Sequence, residues 1–196
     1  MATDKKRDTI IDAAYKRFAH FGVPKTTMNE ISDDLGISKA SLYYYFPDKL
    51  SLYIEVINRI LDEVENNKLP LEKDPFSSMN AYLEGRVEYI LRNQNLLEYL
   101  NTLIQNPNKE ISLLIQKASG LESYRIVEII NQGIEQGVFK KTNAGAMGNL
   151  LFSALSGLRV FNTKNKPNYM INREVMEELL QEEKVLAQTF LKGLTV

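Results

Sequence analysis

The chain of 196 residues contains no cysteine, no tryptophan and a single histidine, His20. Without thiols it can form neither disulfide bonds nor a cysteine nucleophile, and one histidine makes a structural zinc site improbable. No apolar run approaches the roughly eighteen residues that a membrane-spanning helix requires. The opening residues, MATDKKRD, lack the apolar stretch of a signal peptide. These absences predict a cytoplasmic protein without a metal centre.

Catalytic motifs are also missing from the sequence. The segment GVPKTT, residues 22–27, lacks the spacing of a phosphate-binding loop. The acidic pairs Glu177–Glu178 and Glu182–Glu183 fall on the polar side of the last predicted helix, where ordinary solvated charge is expected. The sequence therefore predicts a protein that is not an enzyme and uses no cofactor.

Residues 26–50, TTMNEISDDLGISKASLYYYFPDKL, are the most informative stretch, because they predict two short helices joined by a glycine turn. Thr27 is a good N-cap for the first helix, and Glu30 three residues later completes a capping box. Gly36 follows this helix, at a position where helices commonly end in a left-handed conformation. The first helix is thus bounded at both ends by its own sequence.

The second helix of this stretch is bounded in the same way. Ser38 can accept a backbone N–H as its N-cap, and Pro47 stops it by disfavouring helical geometry in the preceding residue. Leu42 and Phe46 lie one turn apart and are expected to pack against Ile31 of the first helix. This layout is that of a helix-turn-helix, whose second helix enters the DNA major groove.

Three consecutive tyrosines, Tyr43, Tyr44 and Tyr45, end the second helix and face outward or along its flanks. An exposed aromatic run is costly on a soluble surface unless a partner covers it. DNA is a suitable partner, because tyrosine offers a hydroxyl to phosphates and a flat ring to thymine methyl groups. The same two-helix layout occurs in helical proteins that never bind DNA. A helical small-molecule-binding or adaptor protein without operator binding is therefore the alternative.

Over about its first third the sequence strongly resembles the TetR family of tetracycline-repressor-like regulators. The resemblance rests on the segments RDTIIDAAYKRFAHFG, TTMNEIS and GISKASLYYYFPDKLSLY. It implies a ligand-responsive, sequence-specific DNA-binding transcriptional regulator. The function implied most directly is that of a repressor released from a palindromic operator by a small-molecule effector.

The resemblance also implies DNA-binding roles for individual residues around the second helix. Thr26 and Thr27, at the start of the first helix, and Lys49, just after the second, match positions that contact the phosphate backbone. Lys39, Ala40 and Ser41 match base-reading positions, and the tyrosines match aromatic contacts to phosphates and base edges. The complete set of implied DNA-binding residues is Thr26, Thr27, Ser38, Lys39, Ala40, Ser41, Tyr43, Tyr44, Tyr45 and Lys49.

Two features depart from the family pattern. Ser32 stands where a small alanine is usual, which should be tolerated sterically. Asp33 and Asp34 place two acids at the end of the first helix of the pair, where they oppose the helix dipole. These acids must point away from the phosphates if the operator is to be bound tightly.

The charge balance is close to neutral, with a net charge of −1, 25% charged residues and 44% hydrophobic residues. This composition is typical of a globular protein and lacks the strong basic surplus of a nonspecific nucleic-acid binder. DNA binding therefore requires the N-terminal cations to lie on one face. The candidates are Lys5, Lys6, Arg7, Lys25, Lys39 and Lys49.

The sequence predicts helices almost throughout, and therefore an all-α fold of about nine helices. Beyond the two-helix motif, helices are predicted at about 5–21, from 48 for some eighteen residues, and at 78–93, 95–105, 108–136, 143–162 and 172–193. Pro70 and Pro75 are assigned to a loop, Gly120 to a bend or break, and Pro167 to the loop after 143–162. The resemblance implies a helix-turn-helix DNA-binding domain, 1–48, and a helical effector-binding and dimerisation domain, 49–196.

A polar face on the predicted helix 78–93 carries Tyr82, Arg86 and Tyr89. For any one of these residues, a solvated or helix-packing role is the simpler explanation. The resemblance, however, implies an effector pocket enclosed by the helices of this domain, mostly apolar with a few polar anchors. The candidate effector-binding residues are Tyr82, Arg86, Tyr89 and Phe152.

The helices predicted at 143–162 and 172–193 carry broad apolar stripes. The first is rich in glycine, alanine and serine, so another helix can approach it closely. Both stripes either bury within one subunit or pair with their symmetry mates as a four-helix bundle. The resemblance implies the second arrangement, a homodimer, which would read two half-sites about 34–36 Å apart.

Overall fold

The computed structural model describes residues 2–165 and 171–196. Within these ranges the chain forms nine α-helices, and the only β pairing is a single bridge between Phe139 and Thr195. The helices are α1 (Ala2–Phe21), α2 (Met28–Asp34), α3 (Lys39–Tyr45), α4 (Lys49–Asn66), α5 (Pro75–Arg92), α6 (Gln94–Leu103), α7 (Lys109–Glu135), α8 (Ala144–Asn165) and α9 (Arg173–Gly193). The predicted all-α fold is confirmed.

The start of α5 differs from the prediction, because Pro75 is its first residue and does not lie in the preceding loop. Proline suits this position, where its missing N–H would have had no helical partner. The carboxylate of Asp74 accepts hydrogen bonds from the backbone N–H groups of Phe76 (2.9 Å) and Ser77 (3.0 Å). The assignment of Pro75 to a loop was therefore wrong, because the proline starts the helix that Asp74 caps.

Two further predictions concern long helices. α7 runs without interruption through Gly120, so the bend or break expected there does not end the helix. α8 continues to Asn165, three residues beyond its predicted end. The loop predicted around Pro167 lies outside the described residues.

By packing, the chain divides into two compact units, of which the first comprises residues up to 67 together with 93–117. Its core centres on Tyr53 of α4, whose ring meets those of Phe18 and Tyr99 edge-on, with centroids 6.2 and 5.0 Å apart. The Tyr53 hydroxyl donates a hydrogen bond to the carbonyl of Leu96 at 2.8 Å. Burial raises the pKa of this hydroxyl, which stays neutral. These contacts join α1, α4 and α6 within the first unit.

The second unit comprises residues 68–92 and the described residues of 118–196. In it α5 and α8 both pack against α9. Gly148 lets α8 approach α7 closely, because a Cβ atom at this position would overlap the side chain of Val127 and lie 3.2 Å from its Cα. The close helix approach predicted for the small residues of 143–162 is confirmed at this point.

The predicted division into a DNA-binding domain, 1–48, and an effector-binding and dimerisation domain, 49–196, stays a prediction. No helix among the described residues is both long enough and apolar enough to cross a bilayer.

Candidate functional site

The N-terminus of α2 is fixed by the capping box that the sequence predicts. The Thr27 side chain accepts a hydrogen bond from the backbone N–H of Glu30 at 3.3 Å. In return, the Glu30 carboxylate accepts from the backbone N–H and the hydroxyl of Thr27, both at 2.8 Å. These bonds hold the pKa of Glu30 below its usual value. The first helix of the motif therefore starts at a defined residue.

The turn between α2 and α3 also has the predicted geometry. Gly36 adopts a left-handed conformation with φ of +61°, and the N–H of Ile37 donates to the carbonyl of Ser32 at 3.0 Å. The Ser38 hydroxyl then accepts from the backbone N–H of Ser41 at 3.2 Å and caps α3. This defined turn sets the direction in which α3 leaves α2.

The solvent-facing side of α3 carries the residues expected to read DNA. Lys39 and Ala40 are exposed, and Tyr43 and Tyr44 are 46% and 79% exposed. Tyr45 is half-buried, with its ring edge-on to that of Tyr44 and the centroids 5.2 Å apart. On the opposite side, the fully buried Leu42 anchors the helix. This arrangement presents two aromatic rings, an ammonium and a small side chain on one rigid element.

Thr26 and Lys49, expected to contact phosphate, are engaged inside the protein. The Thr26 side chain is buried, and its hydroxyl donates to the carbonyl of Gly22 at 2.9 Å. The Lys49 ammonium donates to the carbonyls of Val23 (2.9 Å), Pro24 (3.4 Å) and Thr26 (2.9 Å). Both side chains therefore fasten the loop between α1 and α2.

The acidic end of α2 is balanced by a cation from α1. The Arg17 guanidinium donates two hydrogen bonds to the Asp34 carboxylate, with an Nη2–Oδ1 distance of 2.9 Å, and lies 3.4 Å from Glu30. This pairing raises the pKa of Arg17 and lowers that of Asp34. Asp34 thus carries its own counter-charge, while Asp33 is exposed.

Most of the N-terminal cations are open to solvent. Arg7 is an exception, because it pairs with Glu55 at 2.6 Å and lies over the ring of Phe46, 5.2 Å from its centroid. Lys49 is the second exception. The exposed candidates are Lys5, Lys6, Lys25 and Lys39.

A second group of polar residues lies in the interior of the second unit, and we call it the ion cluster: Tyr82 and Arg86 of α5, Glu122 of α7, Arg159 of α8 and Glu183 of α9. Arg159 Nη1 lies 2.6 Å from Glu122 Oε2, and Arg159 Nε donates to Glu183 Oε1. Arg86 Nε lies 3.3 Å from Glu122, and the Tyr82 hydroxyl donates to the same carboxylate at 3.2 Å. Four helices thus meet through one charged network.

The ionised groups of the ion cluster stabilise one another, as the shifts of their pKa values show. Burial alone would raise the pKa of Glu122, but Arg86 and Arg159 reverse that effect and hold it below its usual value. Burial would likewise lower the pKa of Arg159, yet Glu122 and Glu183 raise it. The pKa of the Tyr82 hydroxyl is raised by its burial. The network therefore holds ionised Glu122 and Arg159 beside a neutral phenol.

Three buried atoms of the ion cluster have no hydrogen-bond partner within the described structure: Arg86 Nη1, Arg159 Nη2 and Glu183 Oε2. A buried polar atom without a partner costs about 1–3 kcal/mol. The ion cluster therefore contains two guanidinium N–H groups and one carboxylate oxygen without a hydrogen bond, although Arg86 Nη1 also lies 3.7 Å from Glu183 Oε1 as an ion pair.

The amino-acid sequence indicated only part of the ion cluster. Tyr82 and Arg86 belong to it, whereas Tyr89 and Phe152 are half-buried and their role in a site stays a prediction. The expectation of solvated charge at Glu183 was wrong, because its side chain is fully buried. A signal was available: Glu183 falls within the apolar stripe of α9, between Leu179 and Ala187, where a charge needs a buried partner.

Comparison with known proteins places these features in context. The sequence model described as "Bacterial regulatory proteins, tetR family" matches residues 10–56, which include α2 and α3. The HTH-type transcriptional regulator RutR of Escherichia coli K12 is 43% identical over 61 residues, which are 31% of this chain and 29% of RutR. The probable acrEF/envCD operon repressor of the same bacterium is 27% identical over 143 residues, 68% of this chain and 64% of that protein. The matches thus span less than two thirds of either relative.

Solved structures share the whole fold. A transcriptional regulator from Cytophaga hutchinsonii has a TM-score of 0.79 and 31% identity, and the match covers 97% of this chain and 99% of that one. A TetR-family transcriptional regulator from Pectobacterium atrosepticum has a TM-score of 0.69 and 18% identity, over 98% of this chain and 95% of that one. At 18% identity, the similarity to the Pectobacterium atrosepticum protein shows a shared fold only.

Proposed function

Because this chain belongs to the TetR family of bacterial transcriptional regulators, we propose that it represses transcription from a palindromic operator until a small-molecule effector releases it. Members of this family are DNA-binding regulators and not enzymes, in agreement with the sequence prediction. The observation that carries the proposal is the exposed face of α3, held in place by the caps of α2 and α3.

We assign the direct operator contacts to this face and to the caps beside it. Lys39 can donate to guanine edges in the major groove, and Ala40 can contact a thymine methyl group. The tyrosine hydroxyls can bind phosphates, which fix the register of the helix. Thr26 and Lys49 receive no direct side-chain contact, because their polar groups are engaged within the protein. The assigned residues are Thr27, Ser38, Lys39, Ala40, Ser41, Tyr43, Tyr44 and Tyr45.

We assign a homodimer interface to α8 and α9. Leu150 and Phe161 of α8 are 55% and 67% exposed, and the exposed Gly157 lies on the same helical face. Val185 of α9 is 68% exposed. Large apolar side chains on two long helices suit a four-helix bundle with a second copy. A two-fold dimer would place two α3 helices in successive major grooves.

We assign effector binding to the second unit, with the ion cluster as its polar anchor. The cluster offers guanidinium groups of Arg86 and Arg159 and a carboxylate oxygen of Glu183 that make no hydrogen bond through the atoms concerned. An effector that engages these atoms would favour one conformation of the unit over another, and a preference of about 1.4 kcal/mol shifts the balance tenfold. Release of the operator would follow if the favoured state no longer fits two half-sites.

The test is selection of bound sites from a random duplex library, with purified protein at near-physiological salt. Enrichment of a palindrome with half-sites about one helical turn apart would support a dimeric operator reader. No enrichment from a sample free of bound small molecules would contradict the proposal and favour the adaptor alternative. Mass spectrometry of the denatured sample establishes whether a bound effector has locked the protein. A parallel selection without protein reports the background of the library.

A further inference from the structure

Lys49 occupies an unusual place relative to α2 and α3, which we call the reader pair. It is the first residue of α4, a few positions after the reader pair ends. Its ammonium binds the carbonyls of Val23, Pro24 and Thr26, in the loop directly before the reader pair begins. One side chain therefore ties together the two chain segments that flank the reader pair.

The hydrogen bonds of Lys49 leave its ammonium no spare donor. An ammonium has three N–H donors and no acceptor, and three carbonyls lie at 2.9, 3.4 and 2.9 Å. A phosphate contact by the same group would require at least one of these bonds to be given up. Hydrogen bonds from a charged donor are stronger than neutral ones, so this exchange opposes a direct contact with DNA.

The bound loop is short and otherwise fixed by its own bonds. The N–H of Thr26 donates to the carbonyl of Val23 at 3.3 Å, and its hydroxyl donates to the carbonyl of Gly22 at 2.9 Å. Thr27, the next residue, caps α2. The position of the loop therefore decides where α2 begins and, through the Gly36 turn, how α3 is presented.

We propose that Lys49 is a positioning residue for operator binding: its ammonium holds the loop before α2 against the start of α4 and so fixes the reader pair, without contacting phosphate itself. The proposal rests on the operator binding proposed above and concerns how the same site achieves specificity. It differs from the sequence-based expectation, in which this lysine reaches the DNA backbone.

The two possible roles of Lys49, a direct contact with phosphate and the positioning of the reader pair, predict different losses of affinity for DNA. A phosphate contact contributes to binding of every DNA sequence and to the salt dependence, so its loss weakens all binding uniformly and lowers the salt slope by about one. A positioning residue sets the geometry that base readout requires. Its loss therefore lowers affinity for the operator and leaves affinity for random DNA unchanged.

The experiment compares Lys49→Met with the parent on the selected operator and on a random duplex of equal length, over a range of salt concentrations. We expect operator affinity to fall about tenfold, or 1.4 kcal/mol, with random-duplex affinity and salt slope unchanged. Lys25→Met is the matched charge control: Lys25 is an exposed candidate cation in the loop that Lys49 binds, so this variant measures the uniform loss caused by removing one positive charge, while it removes none of the three bonds. Parallel losses on both duplexes, with a reduced salt slope, would overturn the proposal.

Two further measurements keep the proposal testable if operator binding is weak. Arg binds phosphate at least as well as Lys, but its planar guanidinium cannot match three convergent carbonyls, so Lys49→Arg should also lose operator preference. Parent-like preference in Lys49→Arg would overturn the proposal.

Hydrogen exchange of the free protein needs no operator: amides of Met28–Asp34 should exchange faster in Lys49→Met than in Lys25→Met. If the parent selects no operator, the proposed function fails, while this exchange result still decides the positioning role.

Discussion

Arg159 Nη1 lies 2.6 Å from Glu122 Oε2, which joins α8 to α7 inside the second unit. The same guanidinium donates to Glu183 of α9 through its Nε. One cation therefore balances the half-buried carboxylate of Glu122 and the fully buried carboxylate of Glu183, on two different helices. Arg86 lies 3.3 Å from Glu122 and 3.7 Å from Glu183, so Arg159 makes the closer ion pair with each carboxylate.

Replacing Arg159 with methionine should destabilise the protein strongly. The variant keeps an apolar stem of similar length but leaves Glu122 and Glu183 with Arg86 as their remaining cationic partner. Removing one partner from a buried ion pair typically costs about 3–5 kcal/mol. Urea denaturation at a fixed protein concentration measures this loss.

Arg173→Met is the matched control for that change. Arg173 also pairs with two carboxylates, Glu88 at 3.0 Å and Glu177 at 3.3 Å, but its side chain is 61% exposed. Exposed ion pairs contribute about 1 kcal/mol or less. Equal losses in the two variants would show that burial of the cluster does not determine its contribution.

The stability of the protein should fall at acidic pH in a manner that depends on Glu122. Its pKa in the folded state lies below the ordinary value of 4.5, so the unfolded state binds this proton more readily. Ionised Glu122 therefore contributes stability above about pH 4.5, and the contribution is lost as the pH falls through the folded-state pKa. Unfolding measured across this range should show a weaker pH dependence in Glu122→Gln than in the parent. Parallel curves would contradict the assignment.

Tyr44→Ala should weaken operator binding without affecting folding. The side chain is 79% exposed, and substitutions at such surface positions usually change stability by about 0.5 kcal/mol or less. One good contact with a base is worth roughly 1–3 kcal/mol, so we expect a loss of about fivefold to 150-fold in operator affinity by fluorescence anisotropy. Tyr44→Phe separates the hydroxyl from the ring. Parent-like binding by Tyr44→Ala would show that the assigned contact surface is incorrect.

Leu150→Asp should convert the proposed homodimer into a monomer. The charge would enter the interface assigned to α8 and α9, where it would have no partner. Leu113→Asp is a matched control, since both leucines are 55% exposed but Leu113 lies in the first unit. Sedimentation velocity should find a monomer only for Leu150→Asp. A dimer in both variants would place the interface elsewhere.

The features that the sequence predicted correctly are those determined by neighbouring residues. The capping box of Thr27 and Glu30, the left-handed Gly36 and the Ser38 cap each depend on residues within three positions of one another. Such caps and turns can be predicted because the residue types that form them, and the spacing between those residues, are both visible in the sequence. They were enough to outline α2, α3 and the exposed face that α3 presents.

The features that the sequence did not reveal depend on distant residues. Lys49 and Val23 are separated by 26 positions, and no local pattern indicates that this ammonium binds main-chain carbonyls. The burial of Glu183 likewise depends on Arg159, on another helix. Pro75 was misassigned for a different reason, because proline both interrupts and begins helices, and only the cap from Asp74 distinguishes the two roles.

The bonds of Lys49 also limit how the loop before α2 can change over evolution. The ammonium contacts main-chain oxygens only, so it does not discriminate among the side chains that positions 23 and 24 carry. Substitutions of the exposed Pro24 would leave its three acceptors in place, whereas Val23 is fully buried and its side chain is constrained by packing. Insertion or deletion of one residue would displace all three acceptors together. Natural variation in this loop should therefore be permissive at the exposed positions 24 and 25 and strict in length.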